Sequence, residues 1–153
     1  MSEISPRTIA PRVDYIRYIY EKSDSLFENF GQPIAVYESD GKIVLATKKY
    51  RDLAQITKGD IKKGNANIFE SLNDENAGII ETAREVFNNY ERIAKDIVCP
   101  LHTKDEYIKL LLADYKNAVF FPICYLDFLC KEVDCCAVLL IAQPLEGAVD
   151  EDG

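Results

Sequence analysis

A short segment near the start of the chain, residues 31–47, limits the possible folds more than any other part of the sequence. Two runs typical of β-strands, 34–37 (IAVY) and 43–46 (IVLA), flank the residues Ser39-Asp40-Gly41-Lys42. Asp-Gly between such runs is the strongest short-range signal for a β-hairpin, because glycine tolerates the positive φ that tight turns need. A helical pattern precedes this hairpin and a shorter one follows it.

The rest of the chain alternates helical patterns with apolar runs. Apolar residues recur at helical spacing over 11–30, 48–55 and 75–90, with a single helical turn at 68–72. The stretch 57–67 is rich in Lys, Gly and Asn and reads as a loop. The stretch 91–102 is compatible with a helix extension or with a strand.

A capping-box spacing predicts a further helix that opens at 103–106 and ends near Asn117. Two long apolar runs, 118–130 and 135–143, close the domain and predict an antiparallel pair of central strands, because both faces of each run are apolar. Pro122 argues for a bulge or a sheet edge at its position, since it lacks the N–H that a ladder requires.

The predicted fold class is therefore α+β, with one mainly antiparallel sheet of about five strands flanked by helices. At 153 residues the chain is expected to form one domain over 11–143, including an amphipathic lead helix at 11–30. Residues 1–10 are expected to be a flexible tail. The acidic stretch 144–153 is expected to be a disordered tail.

The order of these elements resembles a PAS domain, with the GAF domain as a close relative. The residues that carry the resemblance are the apolar strand, Asp-Gly, apolar strand pattern of 33–44 and the closing runs 121–123 and 137–141. The resemblance implies a sensory or regulatory domain that binds a small molecule or a protein partner. It does not specify a cofactor, and the identity of any cofactor stays unknown.

The sequence also departs from the PAS pattern at three points. Ala46-Thr47 stands where an Asn usually follows the second strand, and the Asn-Cys motif for flavin attachment is missing. The predicted helix at 103–115 lies where many PAS domains pass directly to a strand. These departures argue against a blue-light receptor and favour either an insertion or the GAF relative.

Charge limits the range of partners. The formal net charge is −8, with 26 acidic against 18 basic residues, so direct nucleic-acid binding is not expected. The one basic cluster, between Lys48 and Lys63, reads as a solvated loop and helix face. No apolar run is long enough for a membrane span, and 1–12 does not resemble a secretory signal, so a cytoplasmic location is the default expectation.

The five cysteines are expected to be reduced and structural, because their number is odd and most lie in apolar runs. Cys99-Pro100 with His102 raises a haem hypothesis, since thiolate and imidazole are both axial ligands. A boundary cysteine before a proline is the simpler interpretation, and we expect colourless protein. Cys124, Cys130, Cys135 and Cys136 lack the spacing of a structural zinc site, so no zinc is expected.

No catalytic motif is present in the sequence, and the chain is not expected to be an enzyme. Asp127 is the one carboxylate within an apolar run, and it fits either a pocket acid or a strand bend that faces solvent. If a ligand pocket exists, its walls are expected from one helix and from the closing strands, although solid core packing is the simpler role for each residue. The six candidate residues are Ile79, Ala83, Phe87, Phe121, Ile123 and Leu139.

Two functions follow from these observations. The first is a sensory domain that signals through its N-terminal helix and a homodimer interface. The alternative is an interaction and dimerisation domain with a filled core and no ligand. An excess of tyrosines over one buried stripe in 11–30 favours an interface on that helix in both cases.

Overall fold

The structure, a computed structural model, describes residues 31–124 and 134–142. The predicted helix at 11–30, the two predicted tails and Asp127 lie outside the described residues. Within the described part there are five strands and five helices. In chain order they are β1 (Ile34–Tyr37), β2 (Ile43–Ala46), α1 (Lys48–Ala54), α2 (Lys58–Lys62), α3 (Ile68–Ser71), α4 (Ile79–Asn89), β3 (Ile93–Asp96), α5 (Glu106–Leu112), β4 (Tyr115–Cys124) and β5 (Asp134–Ala142).

The five strands form one antiparallel sheet in the order β2-β1-β5-β4-β3. The predicted fold class is confirmed. The strand closest to the C-terminus, β5, lies at the centre, where it pairs with β1 on one side and β4 on the other. The described parts of the two apolar runs, 118–124 and 135–142, therefore form the central antiparallel pair that their composition predicts.

The predicted hairpin is present between β1 and β2. Lys42 donates its backbone N–H to Asp40 Oδ1 at 2.9 Å, and Gly41 has φ of +92°. A Cβ atom at Gly41 would lie 2.5 Å from Asn67 Oδ1 and 2.6 Å from the Phe69 ring. The position requires glycine both for its backbone conformation and for the close approach of the hairpin to α3.

The first helices follow the predictions with two corrections. Tyr50 and Leu53 of α1 are buried as predicted. The stretch 57–67 is not a loop throughout: α2 forms there because Thr57 and Asp60 make a reciprocal capping box. Helix α4 begins only at Ile79, because Gly78 adopts a left-handed conformation before it.

The sequence leaves a helix extension or a strand open for 91–102. The structure shows a strand there, β3, which lies at the edge of the sheet. The helix predicted from Thr103 starts later. Asp105 caps α5 by accepting from the N–H groups of Tyr107 and Ile108, and Thr103 accepts from Asp105. The helix ends at Leu112, and Asn117 lies in β4 rather than at a helix end.

The sheet has two apolar faces. One of them, here called the inner face, packs against α1, α3, α4 and α5. All described helix residues of the buried core lie in the cluster on this side of the sheet. The opposite face, here called the outer face, is formed by strand residues alone within the described part of the chain. Its buried members are Ile34, Val36, Val119, Phe121, Ile123, Cys135, Ala137 and Leu139.

Pro122 lies on β4 opposite Cys136, and the register does not shift there. The described pairing of β3 with β4 stops at Phe120, so Pro122 lies beyond it, which agrees with the edge alternative and not with a bulge. The irregularity in β4 occurs between Tyr115 and Asn117 instead.

Candidate functional site

The space between α4 and the inner face of the sheet is the place where the sequence predicts a ligand pocket. Tyr37 of β1 extends into it and donates its hydroxyl to the Ala83 carbonyl of α4 at 2.7 Å. The Phe87 ring meets the Tyr37 ring edge-on, with centroids 5.7 Å apart. A protein side chain thus links the two walls, and its polar atom is satisfied by the backbone of the helix.

Burial changes the acid–base properties of this centre. It raises the pKa of the Tyr37 phenol well above its usual range, and the neighbouring Cys136 thiol and Tyr50 phenol raise it further because like charges would repel. Burial also raises the pKa of Tyr50 to about 12, against an opposing hydrogen bond with Ser71. Both phenols are therefore neutral hydrogen-bonding groups at physiological pH.

The six candidate pocket residues do not come together in one place. Ile79 and Ala83 are buried on the inner face, and Phe87 packs against the same cluster. Phe121, Ile123 and Leu139 are buried on the outer face instead. The expectation of one pocket lined by all six is corrected, because the sheet itself separates the two sets. Ligand contact by any of them stays a prediction.

The residues that oppose α4 are different from those predicted. Strand residues in the inner cluster include Tyr37, Ala118, Phe120, Cys136, Val138 and Leu140. Alternation along β4 explains the exchange: Phe120 points inward, so its neighbour Phe121 points outward. A Tyr within an apolar strand was the one available signal, since a buried hydroxyl needs a partner.

The residues of the outer face are almost fully buried. Ile34 and Leu139 have no exposed area, and Phe121 and Ile123 are each 1% exposed. Among the residues that the structure describes, however, no helix contributes to this cluster. The outer face is therefore a second apolar layer of the domain, and it includes Ile34, the first residue of β1.

Cys99 and His102 lie in the connection between β3 and α5. Cys99 is partly buried with φ of +47°, and His102 is exposed. The backbone N–H of His102 donates to Ser71 at 2.8 Å, which ties this connection to the end of α3. His102 also lines a surface groove of about 470 Å³ with Phe69 and Leu72, bordered by Glu70, Asn73, Asp74 and Glu75.

The other chemical hypotheses concern metals and charge. Cys135 and Cys136 are buried on opposite faces of β5. Over 31–124 and 134–142, no group of three His, Cys, Asp or Glu side chains is arranged to hold a metal ion. The basic cluster is divided: Lys48 and Lys49 are exposed, whereas Arg51 is buried and donates to the Ala46 carbonyl at 3.1 Å.

The strand order, with the helices on the inner face, defines a PAS-like fold. The PAS domain of an HTR-like protein from Haloarcula marismortui superposes with a TM-score of 0.53 at 15% identity, covering 78% of this chain and 92% of that one. A PAS domain from a two-component sensor histidine kinase gives 0.50 at 6% identity, covering 88% and 98%. No protein-family model and no curated protein matches the sequence.

The resemblance that the sequence suggests is thus confirmed at the level of the fold. At these identities the likeness concerns the path of the chain and not a particular ligand or partner. None of the described helices is long and apolar enough to cross a membrane.

Proposed function

We propose that this chain is a sensory or regulatory domain that transmits its signal through protein contacts at the outer face of the sheet. The observation that carries the proposal is the outer face itself: a buried apolar layer to which no described helix contributes. Such a layer needs a cover, since exposing it would cost about 25 cal/mol for each Å² of apolar surface.

The segment 11–30 is the proposed cover. Its predicted amphipathic pattern supplies an apolar stripe, and Pro33 follows it closely at the entry to β1. A helix that ends just before β1 would have only a short connection to Ile34 and Val36. A second stripe of aromatic residues would then remain for a second copy of the chain, which makes a homodimer the proposed signalling unit.

The packing of the inner face supports protein contacts over a small-molecule ligand. Tyr37 occupies the space between sheet and helix, and its hydrogen bond to Ala83 would have to break before a ligand could enter there. This favours the filled-core alternative for the inner face. Small-molecule binding requires a movement of Tyr37, and catalysis is not part of the proposal.

The test compares the intact chain with a variant that lacks residues 1–30. We expect sedimentation to show a dimer for the intact chain, and a folded but more monomeric domain with greater binding of a hydrophobic dye for the deletion variant. Native mass spectrometry of the intact chain reports any copurified ligand in the same sample. An intact chain that stays monomeric at high concentration would refute the dimer, and a stoichiometric small molecule would refute the filled core.

A further inference from the structure

A second apolar surface lies on α5, far along the chain from the segment invoked above. Tyr107 is 67% exposed, Leu110 71% and Leu111 37%. Their spacing of three and four residues places them on one helix face. We call this set, Tyr107, Leu110 and Leu111, the α5 face.

The α5 face is not needed for the fold. The helix is fixed to the domain by other residues: Leu112 is fully buried, and Ile108 packs against the inner cluster. Asp105 caps its start, and Glu106 and Lys109 pair with each other at 3.4 Å along the helix. A helix with two apolar faces, only one of them covered, marks an interaction surface.

The charges beside the α5 face indicate the kind of partner. Lys104 precedes the helix and Asp114 follows it, and both are exposed. If two copies of α5 pair antiparallel about a two-fold axis that crosses the α5 face at the level of residue 109, Tyr107 of each copy meets Leu111 of the other and the two Leu110 side chains meet near the axis. Each Lys104 then approaches the Asp114 of the other copy, so the surface is complementary to itself in charge.

We propose that the α5 face is a self-association site that joins two copies of the chain through antiparallel α5 helices. A seven-residue helix is only about 10 Å long, so the contact is smaller than a stable interface requires and its association is weak and reversible. This contact is separate from the outer face, so it would link the proposed outer-face dimers to one another. Because it is weak, it would form mainly where the local concentration of the chain is high.

The test is a dilution series of the intact, isotopically labelled chain followed by amide NMR. We expect concentration-dependent shifts for 104–114, and their loss in Leu110→Glu, which raises the dissociation constant about tenfold or more. Val98→Glu is the matched control, because Val98 is 73% exposed and lies outside the α5 face. Circular dichroism melting of both variants checks that the fold is kept.

A charge exchange tests the antiparallel arrangement. Lys104→Glu alone or Asp114→Lys alone should weaken association about fivefold, and the double variant should restore it. Absence of concentration-dependent shifts in 104–114, failure of the double variant to recover, or binding of another protein's helix without self-association would each overturn the proposal. Deletion of 1–30 distinguishes it from the outer-face dimer, because the α5 shifts should survive that deletion.

Discussion

At the scale of single residues, Tyr37 decides what the inner face can do. It is the point where a strand and a helix are joined by a side chain rather than by packing alone. The Ala83 carbonyl of α4 gives this buried hydroxyl the hydrogen-bond acceptor that it needs.

Removing the Tyr37 hydroxyl tests how much this hydrogen bond stabilises the packing of β1 against α4. We expect Tyr37→Phe to lower the free energy of unfolding by about 1–2 kcal/mol, because the Tyr37–Ala83 bond is lost while the ring remains. Urea denaturation measures the change, and Tyr107→Phe is the control, since its ring is mostly exposed. A Tyr37→Phe variant as stable as the parent would show that the bond adds nothing.

The same buried phenols predict instability in alkali. Burial raises the folded-state pKa of Tyr50 to about 12 and that of Tyr37 higher, whereas both titrate near 10.0 when unfolded. As pH rises past 10 the unfolded chain loses these protons first, so stability present in full below pH 10 is lost above it. The loss from Tyr50 alone is on the order of 2–3 kcal/mol by pH 12.

Urea midpoints between pH 9 and pH 11.5 measure this slope. Tyr50→Phe should flatten it relative to the parent, and absorbance at 295 nm should show the phenolates appearing together with unfolding. An equal slope in Tyr50→Phe would contradict the assignment.

At the scale of elements, the hairpin loop is held against the start of α3. Asn67 donates its side-chain amide to the Asp40 carbonyl at 3.1 Å, and Ile68 donates its backbone N–H to Gly41 at 2.7 Å. Gly41 lies where the two elements approach most closely.

A side chain at Gly41 should separate them. We expect Gly41→Ala to destabilise the domain by about 2–4 kcal/mol, through an unfavourable positive φ and a collision with Asn67 and Phe69. Gly59→Ala in α2 is the control, because its nearest neighbour atom is 3.6 Å away and alanine favours helix by about 1 kcal/mol. Thermal melts of both variants give the comparison, and equal effects would refute it.

The sequence predicts elements better than it predicts the faces of those elements. The bounds of β1 and β2 follow from local chemistry. Helix α2 differs from the prediction, because the Lys, Gly and Asn content of 57–67 is typical of a loop although Thr57 caps a helix there. The candidate pocket residues fall on two faces of the sheet, because both faces of β4 are apolar and the sequence pattern does not distinguish Phe120 from Phe121.

At the scale of the whole molecule, β5 is the strand on which the sheet depends. Cys135 and Cys136 lie within it, on its two faces, and both are buried. Their thiols report the opening of the entire sheet, whereas the partly buried Cys99 reports only its own loop.

Thiol labelling under native conditions should therefore have two regimes. We expect Cys99 to react first and Cys135 and Cys136 to react about 10³-fold more slowly, since their exposure requires global opening. Mass spectrometry of digests at each time point assigns the sites, with Cys99→Ser removing the fast phase at that site. Equal rates at Cys99 and Cys136 would contradict the central position of β5.

The central place of β5 also has a consequence during synthesis of the chain. Ile34 pairs with Leu139, about 100 residues later, so β1 lacks this neighbour until nearly the whole described domain has left the ribosome. At about 5–20 residues per second, the hairpin keeps an open strand edge for roughly 5–20 s, and β4 for roughly 1–4 s, before β5 is complete. Such edges pair readily with other chains. We therefore expect chaperones to bind the nascent chain. A product that stops before Asp134 lacks β5, so it cannot join β1 to β4 in this sheet.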